Sequence, residues 1–195
     1  VINRYLSWSS QIPRAALRLT ARQSPFPMPD SSTDDPDPSI TIEVSDTQSF
    51  LKIDHDAIDR LCREVLRQES IDGANLSVTI VDNPTIHRIN RDHLQHDWPT
   101  DVISFPLSDE DDDALAGELV ISAQMACQIA KELGEQPEDE FGLYLVHGLL
   151  HLCGYDDHDD DDIHAMRSRE QAVLEAAGWH GASRLAADRL RSLGG

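Results

Sequence analysis

Basic side chains are scarce in this chain: 16 Lys and Arg stand against 36 Asp and Glu, a formal net charge of -20 at pH 7. Non-specific binding of nucleic acid runs on Lys and Arg neutralising phosphate, so this balance argues against binding by simple charge. The excess of one sign favours solubility. Long apolar stretches are also missing. No run of eighteen apolar residues occurs in the 195 residues, which excludes a transmembrane helix there. Cysteine is limited to Cys62, Cys127 and Cys153, an odd number without a CxxC pair. A disulfide framework is therefore not expected, and the usage fits a reducing cytosol. Cys62 and Cys127 read as small buried apolar residues, and Cys153 as a packing residue beside the histidines at 147–158.

What remains is enough for one domain and short of two, with 39% hydrophobic residues to build a core. Residues 1–29 hold Arg4, Arg14, Arg18 and Arg22, several Ser and Pro, and no acid. That composition reads as a disordered N-terminal extension, with an organellar transit peptide as the alternative. Residues 30–38, DSSTDDPDP, read as an acidic linker. The expected division is an extension over 1–38, a folded domain over 39–180 and a tail over 181–195.

Within the domain the apolar spacing changes period several times. Ser39–Ser45 alternates at period two and Leu76–Val81 is a second strand; Val102–Phe105 and Glu118–Ile121 are two shorter ones. Helical spacing runs from Asp54 to Glu69, from Asp82 through Leu94, from Ser122 to Leu133, from Pro137 to Leu152 and from Asp162 to Ala177. The acidic loop Ser108–Asp113 separates the third and fourth strands. The order β-α-β-α-β-β-α-α-α predicts an α+β fold, a small mixed sheet of about four strands packed with helices.

The chemistry concentrates on the most apolar helix. His147 and His151 are four residues apart, so they project from one helical face, one above the other. Two imidazoles so placed can share one tetrahedral zinc, and burying both in an apolar helix would be costly without a common partner. Gly154 permits a sharp turn that can bring His158 back as third ligand. Asp157 is the alternative, since carboxylates also bind zinc. Three protein ligands leave a fourth position for water, the arrangement of a catalytic metal. The residue after His147 is Gly148, where zinc proteases with HExxH carry their glutamate base, so ordinary peptidase chemistry is not supported.

Elsewhere the residues allow two readings each. Asp101 either orients a ligand histidine as a supporting carboxylate or caps a turn. Ser104 either touches substrate or makes an ordinary strand hydrogen bond. His93 and His96 either stack on bases or end a solvated helix. Asp159–Asp162 read as a solvated helix start, favourable to the dipole. Tyr155 and Asp156 shape the turn.

Three segments, His147–Asp156 (HGLLHLCGYD), Pro99–Pro106 (PTDVISFP) and Gly117–Ser122 (GELVIS), together resemble the YbeY family, whose members carry HGxLHLxGYDH, PT(D/N)VLSFP and GDIxIS in this order. The likeness spans roughly Ile40 to Ala177. It implies a single-domain metalloprotein with one zinc ion per chain, held by His147, His151 and His158. It implies an endoribonuclease that matures the 3′ end of 16S rRNA and serves ribosome quality control. The partners it implies are rRNA on the small ribosomal subunit and ribosome-associated proteins, in the cytoplasm, with neither membrane nor DNA. The family's third histidine stands ten residues after its first, where this chain has Asp157. The family's arginine five residues before Pro-Thr is here Leu94, with Arg91 one turn earlier as substitute. Arg91 and Asp101 are thus the candidate catalytic residues. Two other functions fit the same residues: a metallohydrolase on a non-RNA substrate, and a non-catalytic ribosome-assembly factor with a structural metal.

Overall fold

A computed structural model of the chain describes residues 39–95, 97–109 and 112–179. The expected extension over 1–38, the tail over 181–195 and His96 lie outside the described residues. Strands β1 (Ile40–Asp46), β2 (Ala74–Val81), β3 (Val102–Pro106) and β4 (Leu115–Ser122) form one sheet in the order β1-β2-β4-β3. β1 and β4 run parallel to β2, and β3 runs antiparallel to β4 at the edge, so the sheet is mixed as expected. The helices are α1 (His55–Gln68), α2 (Asn83–Leu94), α3 (Ala123–Leu133), α4 (Pro137–Leu152) and α5 (Asp160–Ala176).

Local chemistry starts and stops these helices where the residues dictate. Asp54, Asp82, Ser122 and Asp159 each cap an N-terminus by accepting a backbone N–H from the first turn. α5 begins at Asp160 rather than Asp162, because Asp159 caps it and the acids Asp160–Asp162 sit in its first turn, where the helix dipole favours them. Gly134 ends α3 in the left-handed region.

The alternation of β4 divides the core in two. Leu119 and Ile121 face α1, α3, α4 and α5 with Leu76, Val78 and Ile80 of β2; Val120 faces the other way, onto Ile86 of α2 and Ile103 of β3. α4 is the central element, packed against α1, α3, α5, β3 and β4. Nine of its residues from Phe141 to Leu150 are buried, all but His147, which is why it reads as apolar on most of its circumference.

Gly148 lets α4 lie close on the sheet. A Cβ there would stand 2.8 Å from Val102 Cγ2 and 3.1 Å from both Leu119 Cδ2 and Ser104 Oγ. Ser104, buried at the strand edge, donates to the Gly148 carbonyl at 2.9 Å, an ordinary strand-to-helix bond. Helix propensity alone makes Gly148→Ala stabilising by about 1 kcal/mol. Overpacking against stiff Val102 costs about 1–3 kcal/mol and reverses the sign. Urea denaturation should therefore show Gly148→Ala less stable than wild type; a gain would mean that the helix-to-sheet contact yields.

Candidate metal centre

His147 and His151 project from the last turns of α4 toward α5 and the turn that follows. Their rings lie nearly perpendicular, with centroids 4.5 Å apart. α4 ends at Leu152 with Cys153 as its C-cap, and Tyr155 N–H returns to the Leu150 carbonyl at 3.0 Å. Gly154 sits at φ +95° in this closure, a conformation that needs glycine. The chain then folds back, and Asp157 enters the interior at 8% exposure. The Nε2 or Nδ1 atoms of the two histidines and a carboxylate oxygen of Asp157 lie within 4.8 Å of one another.

Hydrogen bonds on the far side of each ring set which nitrogens face inward. Glu170 of α5, 1% exposed, receives the His147 Nδ1–H at 2.7 Å. The Tyr155 carbonyl can only accept, so His151 carries its proton on Nδ1, donated at 3.1 Å. The two Nε2 atoms are left facing each other, 3.1 Å apart. Two lone pairs at that distance repel unless a proton or a cation sits between them. Beside them, Asp157 Oδ1 is buried without a hydrogen-bond partner, as is Glu170 Oε2. An unpaired carboxylate oxygen in the interior is expensive. A divalent cation at the convergence of His147 Nε2, His151 Nε2 and Asp157 satisfies both demands, so the donor set fits a metal such as zinc.

Electrostatics point the same way. Burial opposes charge on His147, but the hydrogen bond and charge of Glu170, with the charges of Asp101 and Asp157, outweigh it and raise its pKa. Burial and then the neighbouring His147 lower that of His151, against the pull of Asp157. The site thus attracts one positive charge and resists a second proton. A small cavity lined by His147, Asp157, Ile163, Met166, Arg167 and Glu170 adjoins it.

The residues singled out from the sequence fall differently around this group. His158 is not in it: the side chain is 46% exposed and its Nδ1 lies 2.6 Å from Asp156 Oδ1. One residue of turn decides the matter, since Asp157 points inward and its neighbour outward. Asp101 does not hydrogen-bond the histidines. Its Oδ1 accepts from Thr100 Oγ1 and the Val102 N–H, at 3.0 and 2.8 Å, and it acts on His147 through charge. Arg91 is exposed on α2, 3.0 Å from Asp92, and is not part of the cluster. His93 stands edge-on to Phe105, with centroids 5.9 Å apart. Burial and Glu69 push the Cys153 thiol up to about 12, so it stays protonated and packs. Glu170 was missed. Its signal was an acid on the apolar stripe of α5, between Met166 and Val173.

An α+β domain whose buried central helix carries two histidines toward an inward aspartate has the donor set of a protein that can hold a metal ion. The family model described as Endoribonuclease YbeY matches residues 43–178. An Endoribonuclease YbeY of Carboxydothermus hydrogenoformans is 37% identical over 139 residues, covering 70% of this chain and 96% of the relative. One of Bacillus cereus is 41% identical over 133 residues, 60% of this chain and 85% of the relative. The solution structure of a Thermotoga maritima protein superposes with a TM-score of 0.50 at 22% identity, over 73% of this chain and 95% of that one, which shows the shared fold. The chain belongs to the YbeY family.

Because His147 holds a proton above the ordinary histidine range of about 6.5, metal and proton compete for Nε2. Zinc affinity should fall as pH falls, and the fall should begin above pH 6.5. In Glu170→Gln the onset should move to lower pH while affinity at high pH drops by about 10-fold or more, because the ring loses its orienting acceptor. Titration against a competing chelator across pH checks both; an onset unmoved by Glu170→Gln would contradict the assignment.

Proposed function

We propose that this chain is a metal-dependent endoribonuclease that cleaves single-stranded RNA in the 3′-end maturation of small-subunit rRNA. Zinc, one ion per chain, is held by His147, His151 and Asp157, and the protein acts on the ribosome in the cytoplasm. The observation that carries this reading is the convergence of those three side chains on α4 and its following turn, in a chain whose relatives are named endoribonucleases. Two observations support Asp157 rather than the expected His158 as third ligand: its buried carboxylate lies within 4.8 Å of both histidines, and His158 is exposed.

His147, His151 and Asp157 would hold the ion, which would supply Lewis-acid chemistry to a water molecule and a phosphoryl oxygen. The chain supplies orientation. Glu170 and the Tyr155 carbonyl keep both Nδ1 atoms protonated and both Nε2 atoms inward. Gly148 leaves no room for an acid one residue after His147, so a general base cannot come from that position. Asp101 adds negative charge near His147 and favours a cation in the site. Arg91 meets an incoming phosphate only by leaving Asp92.

The charge balance bears on how RNA is held. Residues 47–153 carry 7 basic and 21 acidic side chains, so the grip cannot rest on a broad basic surface. Trp98, 46% exposed, offers an aromatic face on which an unpaired base can stack, an interaction that carries no charge penalty. Ribosomal proteins supply the remaining affinity.

Incubation of the zinc-loaded protein with a 3′-extended precursor of small-subunit rRNA should yield endonucleolytic products. His147→Ala should abolish them, and Arg91→Ala should reduce kcat/KM by about 10-fold, the order of one charge-assisted phosphate contact, with zinc content unchanged. Zinc bound at one per chain with no cleavage of any single-stranded RNA would favour the assembly factor with a structural metal. Hydrolysis of a non-RNA ester alone would favour the other metallohydrolase reading.

A further inference from the structure

We propose that Arg169, Glu69 and Tyr155 form a brace that sets the ring of His151, so that two consecutive residues of α5 position both histidines. This rests on the reading of His147, His151 and Asp157 as a metal centre. Glu170 acts on His147 directly. Its neighbour Arg169 acts at a distance. Arg169 Nε pairs with Glu69 Oε1, and Arg169 Nη2 donates to the Gln68 carbonyl at 2.6 Å. The other carboxylate oxygen, Glu69 Oε2, accepts the Tyr155 hydroxyl at 3.2 Å. The backbone carbonyl of that same tyrosine receives the His151 Nδ1–H.

The turn holds the Tyr155 N–H at the Leu150 carbonyl, but the only hydrogen bond at the Tyr155 carbonyl itself, among the described residues, is the one from His151. This carbonyl follows Gly154, the most permissive joint available, at φ +95°. The side chain of Tyr155 adds a second restraint by anchoring the residue at its far end. Its anchor is firm because Glu69 and Arg169 are only 14% and 26% exposed, where a pair is screened far less than at the surface. Glu69 is the C-cap residue of α1, and Arg169 also satisfies a carbonyl left open at that helix end. Residues 169 and 170 lie about 100° apart around α5. One therefore faces α1 and the other α4, and both helices pack on α5. Displacing α5 disturbs the two rings together. Arg169 and Glu69 are positioning residues: neither touches the metal or the substrate.

The test reads the His151 ring itself. Metal-free protein with 15N-labelled histidine is examined by long-range proton–nitrogen correlation at about pH 8, above the ordinary histidine pKa. Wild type should show His151 as the single tautomer protonated on Nδ1. In Tyr155→Phe and Glu69→Ala the two ring nitrogens should move toward the average of both tautomers, while His147 keeps its signals. Glu69→Gln, which retains an oxygen for the tyrosine hydroxyl, should restore the wild-type pattern. Zinc affinity should weaken by about 10-fold in the first two variants and recover in the third. His151 signals and zinc affinity unchanged in both Tyr155→Phe and Glu69→Ala would overturn the brace. So would equal shifts at His147 and His151 accompanied by a lower melting temperature, the sign of general loosening. Tautomer shifts as described in a protein that binds no zinc would uphold the brace and remove the metal reading instead.

Discussion

Two imidazole nitrogens held 3.1 Å apart, each with its proton committed to the opposite side of its ring, form a contact that requires a positive charge between them. Much of the surrounding structure follows from maintaining it. The i, i+4 spacing on α4 stacks the rings, and Glu170 and the Tyr155 carbonyl take the outer protons. Asp157 brings a buried oxygen that has no other partner to the same place. Each of these features is costly alone. Together they describe one cation site, in which the desolvation of a carboxylate and the repulsion of two lone pairs are offset by a single ion.

The fold provides rigidity for that arrangement by burying the helix that bears it. α4 packs against helices α1, α3 and α5 and against strands β3 and β4, and Gly148 brings it within contact of Val102 and Leu119. Among the described residues, α2 covers the sheet's other face around Ile86, Ile103 and Val120. α5, the last described helix, closes the site from the side. It is amphipathic in the usual way except at Glu170, where an acid replaces an apolar residue on the buried stripe. Such a residue reduces stability unless it acts on something, and here it acts on His147.

Much of this was legible before any coordinates. The element order follows from changes of period, from capping Asp and Ser residues and from Gly134 and Gly154, all of which act locally. His147 and His151 were legible because helix geometry fixes where i and i+4 point. The third member of the cluster was not, because which of Asp157 and His158 turns inward depends on the path of a turn: Asp157 lies with the two histidines and His158 is exposed. Of the two readings left open for Asp101, its hydrogen bonds go to Thr100 and Val102 as a turn cap's would, while the bond to His147 belongs to Glu170, 23 residues away in sequence. Arg91 illustrates the same limit: sequence spacing put it on a helix, while its exposed side chain pairs with Asp92 and lies outside the cluster.

The central claim is that Asp157, and not His158, completes the metal centre. Zinc content per chain, measured by elemental analysis on purified Asp157→Ala and His158→Ala, tests it most directly. The account predicts one zinc in wild type and in His158→Ala, and loss of most of it in Asp157→Ala. Zinc retained in Asp157→Ala and lost in His158→Ala would contradict it.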